Sequence, residues 1–294
     1  MWSEVVRMKR DEVREVAREA FEQLVKDVEA GKSDTLKAYL KAMGRFHRYS
    51  VGNAILIQLQ KPNAMHVAGF RAWQQLGRYV KKGEHGIAIM APVVYRRKTQ
   101  TDDSDEDIDT DGGIVTTFKT AYVFDISQTD GKPLPEFAKA QGDPGVCLER
   151  LETFIAEKGI TLERRESLRM AEGVSTGGTI LLKASLAPAE EFSVLVHELS
   201  HEMLHQDPTD RPKEKTVREA EAEAVAYVVC QEIGLDVNTA SSDYIQLYDG
   251  DKKTLMQSLE RIQRTAAEIL EAVMAEDKER ANTADVPARV AVAA

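Results

Sequence analysis

The stretch HELSHEMLH, residues 197–205, carries three imidazoles at four-residue intervals and with them two overlapping copies of the pattern H-E-x-x-H. One copy is His197, Glu198 and His201; the other is His201, Glu202 and His205. Residues four apart on a helix lie on one face, so either histidine pair can offer ring nitrogens to a single ion. All three cannot share one ion, because positions 197 and 205 are about 12 Å apart along the axis at a rise of about 1.5 Å per residue. A zinc ion, Zn2+, held by such a pair needs a third protein ligand and an open position for water. On a helix the pattern is a zinc-site signature, with its glutamate placed as the general base of a hydrolysis.

Phe192, Leu195, Leu199 and Met203 form the apolar stripe of this segment, and Glu202 falls nearer to that stripe than Glu198 does. A base at 202 would crowd the core. The second copy also ends shortly before Pro208, where a last helical turn frays. The first copy is therefore preferred: His197 and His201 as metal ligands and Glu198 as base. His205 reads as a helix-end histidine that suits the negative end of the helix dipole.

The third ligand is sought downstream in REAEAEAVAY, which supplies Glu219, Glu221 and Glu223. Positions 219 and 223 share a helical face, and 221 points about 200° away from 219. Glu219 is read as the ligand, with Glu223 behind it accepting the other ring N–H of a histidine; the reverse assignment stays open. Zinc in such a site acidifies water, Glu198 takes the proton, and peptide hydrolysis is the natural reaction. The strand at Thr179–Leu182, just before the histidine helix, is expected to align an extended substrate through its main chain. Tyr227 reads as a packing residue rather than an oxyanion donor.

The elements that must position these groups follow from periodicity. Apolar residues at helical spacing predict helices over residues 3–30, through Lys41 to Arg45, after the Ser50 cap, and around Trp73. Tyr79–Tyr95 and IVTTFKTAYVFDI, residues 114–126, predict a hairpin whose tip is the acidic run of residues 99–113. Residues 128–145, rich in Pro, Gly and polar side chains, read as a linker. Beyond it, helices are predicted at Val146–Lys158, after Pro188, at Glu214–Ile233 and from Lys252 to about Met274. The fold class is α+β: N-terminal helices with a β-hairpin or small sheet over residues 1–135, then a helix-rich zincin-like domain with a small sheet over 145–277, and a tail from 278 to 294.

Composition sets the outer limits. The 294 residues carry a net charge of -10, yet residues 42–98 hold ten Lys or Arg against the single acid Glu84. Segregation of this kind favours binding of a polyanion by one part of the molecule. No run approaches the roughly 18 apolar residues of a membrane span, and MWSEVVRMKRDE contains no apolar signal core. With only Cys147 and Cys230, neither a disulfide framework nor a thiolate metal site is expected. A cytoplasmic location and no membrane partner follow.

In its second half, through GGTILL, HELSHEMLH and REAEAEAVAYVVC, the sequence resembles the ImmA/IrrE-like zinc metallopeptidases of the gluzincin group. In its first half, through FHRYSVGNAILIQLQKPNA, GFRAWQQLGRYVKKGEHGIAIMAPV and TAYVFDISQTDGKPLP, it resembles the N-terminal domain of ArdC-type antirestriction proteins. The resemblance implies a domain that binds single-stranded DNA followed by a zinc peptidase domain, carried on a plasmid or other mobile element and protecting incoming DNA from restriction. The residues agree in kind, since basic side chains interleaved with rings suit a surface where bases stack and cations track phosphates. Arg45, Phe46, Arg48, Tyr49, Asn53, Lys81 and Lys82 are the candidate DNA contacts, with Phe70 and Trp73 assigned to the core. Two further readings are carried alongside: a DNA shield whose zinc is structural, and a regulatory metalloprotease that cleaves a repressor. The peptide or protein substrate is not specified by the sequence.

Overall fold

The computed structural model describes residues 8–31, 33–96, 114–132, 142–168, 171–209, 211–235, 247 and 251–275. The acidic run and the tail lie outside these residues, as does half of the predicted linker, residues 133–141. The chain opens with helices α1 (Arg10–Glu29), α2 (Ser33–Arg45) and α3 (Val51–Gln60). The predicted cap is present: the Ser50 hydroxyl accepts from the Asn53 main-chain N–H at 3.4 Å. Strand β1 (Val67–Gly69), helix α4 (Phe70–Gln75) and strand β2 (Arg78–Val80) lead into the long strands β3 (Ile87–Arg96) and β4 (Ile114–Asp125). A single 3-10 turn, Ile126–Gln128, and β5 (Thr129–Gly131) close this half.

The expected hairpin forms with β3 antiparallel to β4, in a register running from Ile87 opposite Val123 to Arg96 opposite Ile114. β1 lines the far side of β4, giving the order β1-β4-β3, and β2 pairs with β5. That leaves the outer edge of β3, which two side-chain amides from α3 close. Asn53 accepts from the Met90 N–H and donates to its carbonyl, both at 2.9 Å. Gln60 does the same for Ala88, again at 2.9 Å in each direction. An unpaired strand edge invites another chain, and here a helix supplies the missing ladder bonds.

The second half contains α5 (Val146–Glu157), β6 (Thr161–Arg165), β7 (Gly173–Ser175), β8 (Thr179–Lys183), α6 (Pro188–Leu204), α7 (Lys215–Ile233) and α8 (Lys252–Val273). Its sheet runs β6-β8-β7, with β6 parallel and β7 antiparallel to β8. The expectation that β8 could pair with a substrate is corrected by this order, because both edges of β8 are taken.

One hydrophobic core crosses the predicted boundary between residues 135 and 145. Leu36, Leu40 and Met43 of α2 are buried in the same cluster as Val225, Val228 and Val229 of α7. Gly44 makes the contact close: a Cβ there would sit 3.1 Å from the Val228 carbonyl oxygen. Among the described residues no helix is long and apolar enough to cross a membrane.

Replacing Asn53 with Ala strands the part-buried N–H and C=O of Met90. The expected loss is about 1–3 kcal/mol, read as a lower denaturant midpoint. Wild-type stability in Asn53→Ala would show that the edge of β3 does not need this partner.

Candidate metal centre

Helix α6 starts at Pro188, whose fixed φ suits the first helical position. Phe192, Leu195 and Leu199 are wholly buried, which locks the rotation of the helix. The opposite side of the same turns then faces α7. There His197 and His201 meet Glu219, with one ligand atom from each lying within 4.8 Å of the others.

The triangle has definite edges. His197 Nε2 and His201 Nε2 are 3.2 Å apart. Glu219 Oε2 lies 3.6 Å from the first and 3.4 Å from the second. A four-coordinate ion with bonds of about 2.0–2.1 Å has donor–donor edges of about 3.3–3.4 Å. Two imidazole nitrogens and a carboxylate oxygen are also a donor set that suits zinc and its neighbours. The residues present therefore fit a divalent ion.

Behind the triangle, Glu223 Oε2 stands 3.3 Å from His197 Nδ1. A carboxylate there takes the distal N–H and leaves Nε2 free for a metal. Glu221 is on the opposite side of α7, as its position two residues from Glu219 requires. It is fully buried and pairs with Arg261 of α8 and with His205. His205 caps the end of α6 as expected, and it is also buried, with Nε2 3.0 Å from Glu221 Oε2.

The two glutamates of the overlapping motifs have different surroundings. Glu198 is 9% exposed and sits under β7, where Gly173 makes room: a Cβ at 173 would lie 2.7 Å from Glu198 Cγ. Burial pushes the Glu198 carboxyl up, opposed by His197 and by the Ser175 main chain. Glu202 instead accepts from the Gly177 N–H at 2.9 Å and the Gly178 N–H at 2.7 Å, and bonds the Ser175 hydroxyl. It ties the β7–β8 turn to α6. Tyr227 packs against the core.

Charge is shared unevenly in the triangle. Burial works against a proton on His197, but the carboxylates of Glu219 and Glu223 overcome it and raise its pKa to about 9. Burial, helped by the neighbouring His197, takes His201 down to about 4. The His197 hydrogen bond holds Glu219 at about 2 against its burial.

The candidate DNA contacts are dispersed. Arg48, Lys81 and Lys82 are exposed, and the Lys81 ammonium donates to the Ser127 carbonyl at 3.0 Å. Arg45 is half-buried and donates to the Ala64 carbonyl at 3.3 Å. Tyr49 is half-buried as well, its hydroxyl donating to the Val67 carbonyl at 3.2 Å. Phe46 needs correction: at 2% exposure it is a core residue that offers no face to a base. Asn53 does too, since both polar ends of its amide are committed to Met90. Of the two rings assigned to the core, Trp73 is there, its indole N–H donating to the Phe124 carbonyl at 2.8 Å, but Phe70 is 49% exposed. Tyr79 at 60% and Phe118 at 45% join it as exposed rings. Phe118 carries no signal beyond alternation along β4. Arg78, counted with the basic segment, is buried and spends its guanidinium on Thr129, Gly131 and Lys132.

Fold and site define an α+β protein with a His-His-Glu candidate metal centre between α6 and α7 and a basic, ring-bearing segment over residues 42–98. Residues 11–124 match the family described as the N-terminal domain of anti-restriction factor ArdC. Its fold is similar to that of the antirestriction ArdC protein from plasmid R388. The TM-score is 0.52 against the Mn(II)-bound crystal structure and 0.50 against the metal-free one, at 19% identity, covering 88% of this chain and 98% and 97% of those chains. An uncharacterized Bacillus anthracis protein is 24% identical over 310 residues, covering 90% of this chain. The chain spans about half the length of that relative, 52%.

The raised pKa of His197 sets the sign of a pH effect. Its pairing with the two carboxylates stabilises the metal-free chain fully below the ordinary value of 6.5, and that stability is lost as pH rises through about 9. A metal ion must displace this proton, so apparent affinity should climb about tenfold per pH unit towards 9 and then level. Chelator competition between pH 6 and pH 8 reads it. A flat profile would mean that His197 is already neutral.

Proposed function

We propose that this chain is an antirestriction protein that binds single-stranded DNA through its first half and carries a zinc-dependent peptidase centre of the gluzincin type in its second. The observation that carries the enzymatic part is the triangle of His197, His201 and Glu219, whose edges of 3.2, 3.4 and 3.6 Å suit one tetrahedral ion. The R388 relative has a Mn(II)-bound crystal structure, which supports a divalent ion here. The match of residues 11–124 to the ArdC N-terminal domain supports the antirestriction role.

When bound, a divalent ion at this position supplies Lewis acidity and lowers the pKa of water beside it. The chain's own residues do the rest. Glu223 orients His197 from behind. Glu198, buried under β7 and with its pKa raised, is suited to accept a proton from water and return it to a leaving amine. Among the described residues β7, next to Glu198, is an outer strand of its sheet and β8 is not, so an extended peptide is better placed to pair along β7. In the first half, exposed Arg48, Lys81 and Lys82 supply phosphate contacts, and the exposed rings of Phe70, Tyr79 and Phe118 supply stacking faces.

Glu198 is not a member of the triangle. Glu198→Gln should therefore keep the metal and lower hydrolysis of a peptide library about 10²–10⁴-fold, the usual worth of a positioned base. Undiminished cleavage would remove Glu198 from the mechanism. Protection of DNA that survives loss of cleavage would favour the shield reading, with the metal structural.

For the first half, Lys81→Ala combined with Lys82→Ala should weaken binding of an oligothymidylate. The slope of log affinity against log salt should flatten by about 1.4, at about 0.7 per lost contact on a single strand. An unchanged slope would place the DNA elsewhere.

A further inference from the structure

His205 and Glu221 have no part in the metal triangle, yet they touch it through a continuous line of hydrogen bonds. We infer that the Glu221–His205 pair is a positioning device that fixes the proton of His201 on Nδ1 and so keeps its Nε2 bare for the metal. The inference rests on the metal-site reading above and deepens it.

The proton positions follow by elimination. Glu221 is fully buried, and the Arg261 guanidinium bonds its Oε1, with Nε at 3.1 Å. The Ser258 hydroxyl donates to the same oxygen at 2.6 Å. A carboxylate beside a guanidinium stays ionised and can only accept. Its other oxygen, Oε2, is 3.0 Å from His205 Nε2, so that nitrogen carries the hydrogen. In the inferred arrangement the ring of His205 carries its one hydrogen on Nε2, which leaves Nδ1 bare. That Nδ1 lies 3.0 Å from His201 Nδ1, and two ring nitrogens so close need one hydrogen between them. In this arrangement it belongs to His201. The remaining nitrogen of His201, Nε2, is left as a lone pair facing His197 and Glu219.

The arrangement differs from that of His197, whose distal nitrogen meets Glu223 directly. For His201 the carboxylate acts through an intervening imidazole. The line ends on α8, so the orientation of a metal ligand on α6 is set from α7 and α8 together. Because His205 is the third histidine of HELSHEMLH, the second H-E-x-x-H copy is explained without a second ion.

The test uses the full chain with Zn2+ or Mn2+ as the probe, measured by competition against a chromophoric chelator. His205→Leu should weaken affinity about 10–100-fold, the usual cost of losing a partner behind a ligand. His205→Asn, whose Oδ1 can replace the accepting nitrogen, should recover most of that loss. Long-range 1H–15N spectra of the metal-free wild type, labelled at histidine, provide a measurement that needs no variant to fold. His201 is expected to be protonated at Nδ1 and His205 at Nε2. A proton on His201 Nε2, or unchanged affinity in His205→Leu, overturns the inference while leaving the triangle intact. A wild-type chain that takes up neither ion overturns the metal reading and this inference with it.

Discussion

The close packing of α6 on α7 is the constraint on which the candidate centre depends. Neither helix holds a complete donor set. α7 alternates glutamate with alanine from Glu219 to Ala224, and the two kinds of residue divide the work. Ala222, Ala224 and Ala226 are almost completely buried. Small side chains at a helix contact let the axes approach towards the short end of the usual 8–10 Å. Carboxylates on short arms can then reach imidazoles on the neighbouring helix. Glu219 and Glu223 fall on the side facing His197, and Glu221 falls on the side facing α8.

Seen this way, the repeated motif in α6 is one site with its own support. The first copy supplies the triangle and Glu198. The second supplies Glu202, which holds the β7–β8 turn through two main-chain N–H groups. That turn brings Gly173 over Glu198, and only a residue without Cβ allows the strand so near. A base buried under a strand edge has a raised pKa, which is what proton exchange near neutrality asks of a carboxylate. Glu202 therefore bears on Glu198 through β7, although the two side chains serve different ends.

Periodicity made the helices legible. The predicted bounds of α5, α7 and α8 differ from the observed ones by a residue or so at each end, because those segments are long and rich in regularly spaced apolar residues; for α6 only the start after Pro188 is predicted. The short strands β1, β2, β5, β6 and β7 were less visible. At three to five residues they are too brief for alternation to register, and their pairing is set by distant parts of the chain. The failed expectation about β8 has the same origin, since a strand's neighbours cannot be read from its own residues. The site was clearer. Helical geometry alone separates Glu221 from Glu219 and Glu223, and the apolar stripe places Glu202 towards the core. Surface contacts were hardest to read, because composition does not show burial. Phe46 and Arg78 looked like members of a basic, ring-bearing surface and are buried, whereas Phe70 looked like core and is not.

The same burial explains how the two halves are joined. The end of α2 and the turn into α3 carry Arg45, Arg48 and Tyr49, and this corner rests on the helices of the candidate metal centre. Gly44 lies against the Val228 carbonyl of α7. Gln263 of α8 donates to the His47 carbonyl at 3.1 Å and approaches those of Met43 and Tyr49 at 3.3 Å. Two residues earlier on the same helix, Arg261 anchors Glu221. A close-packed interior resists deformation. α7 and α8 thus act as a common mount, holding the basic corner in a set position relative to His197, His201 and Glu219. One core takes in side chains from both sides of residues 128–145.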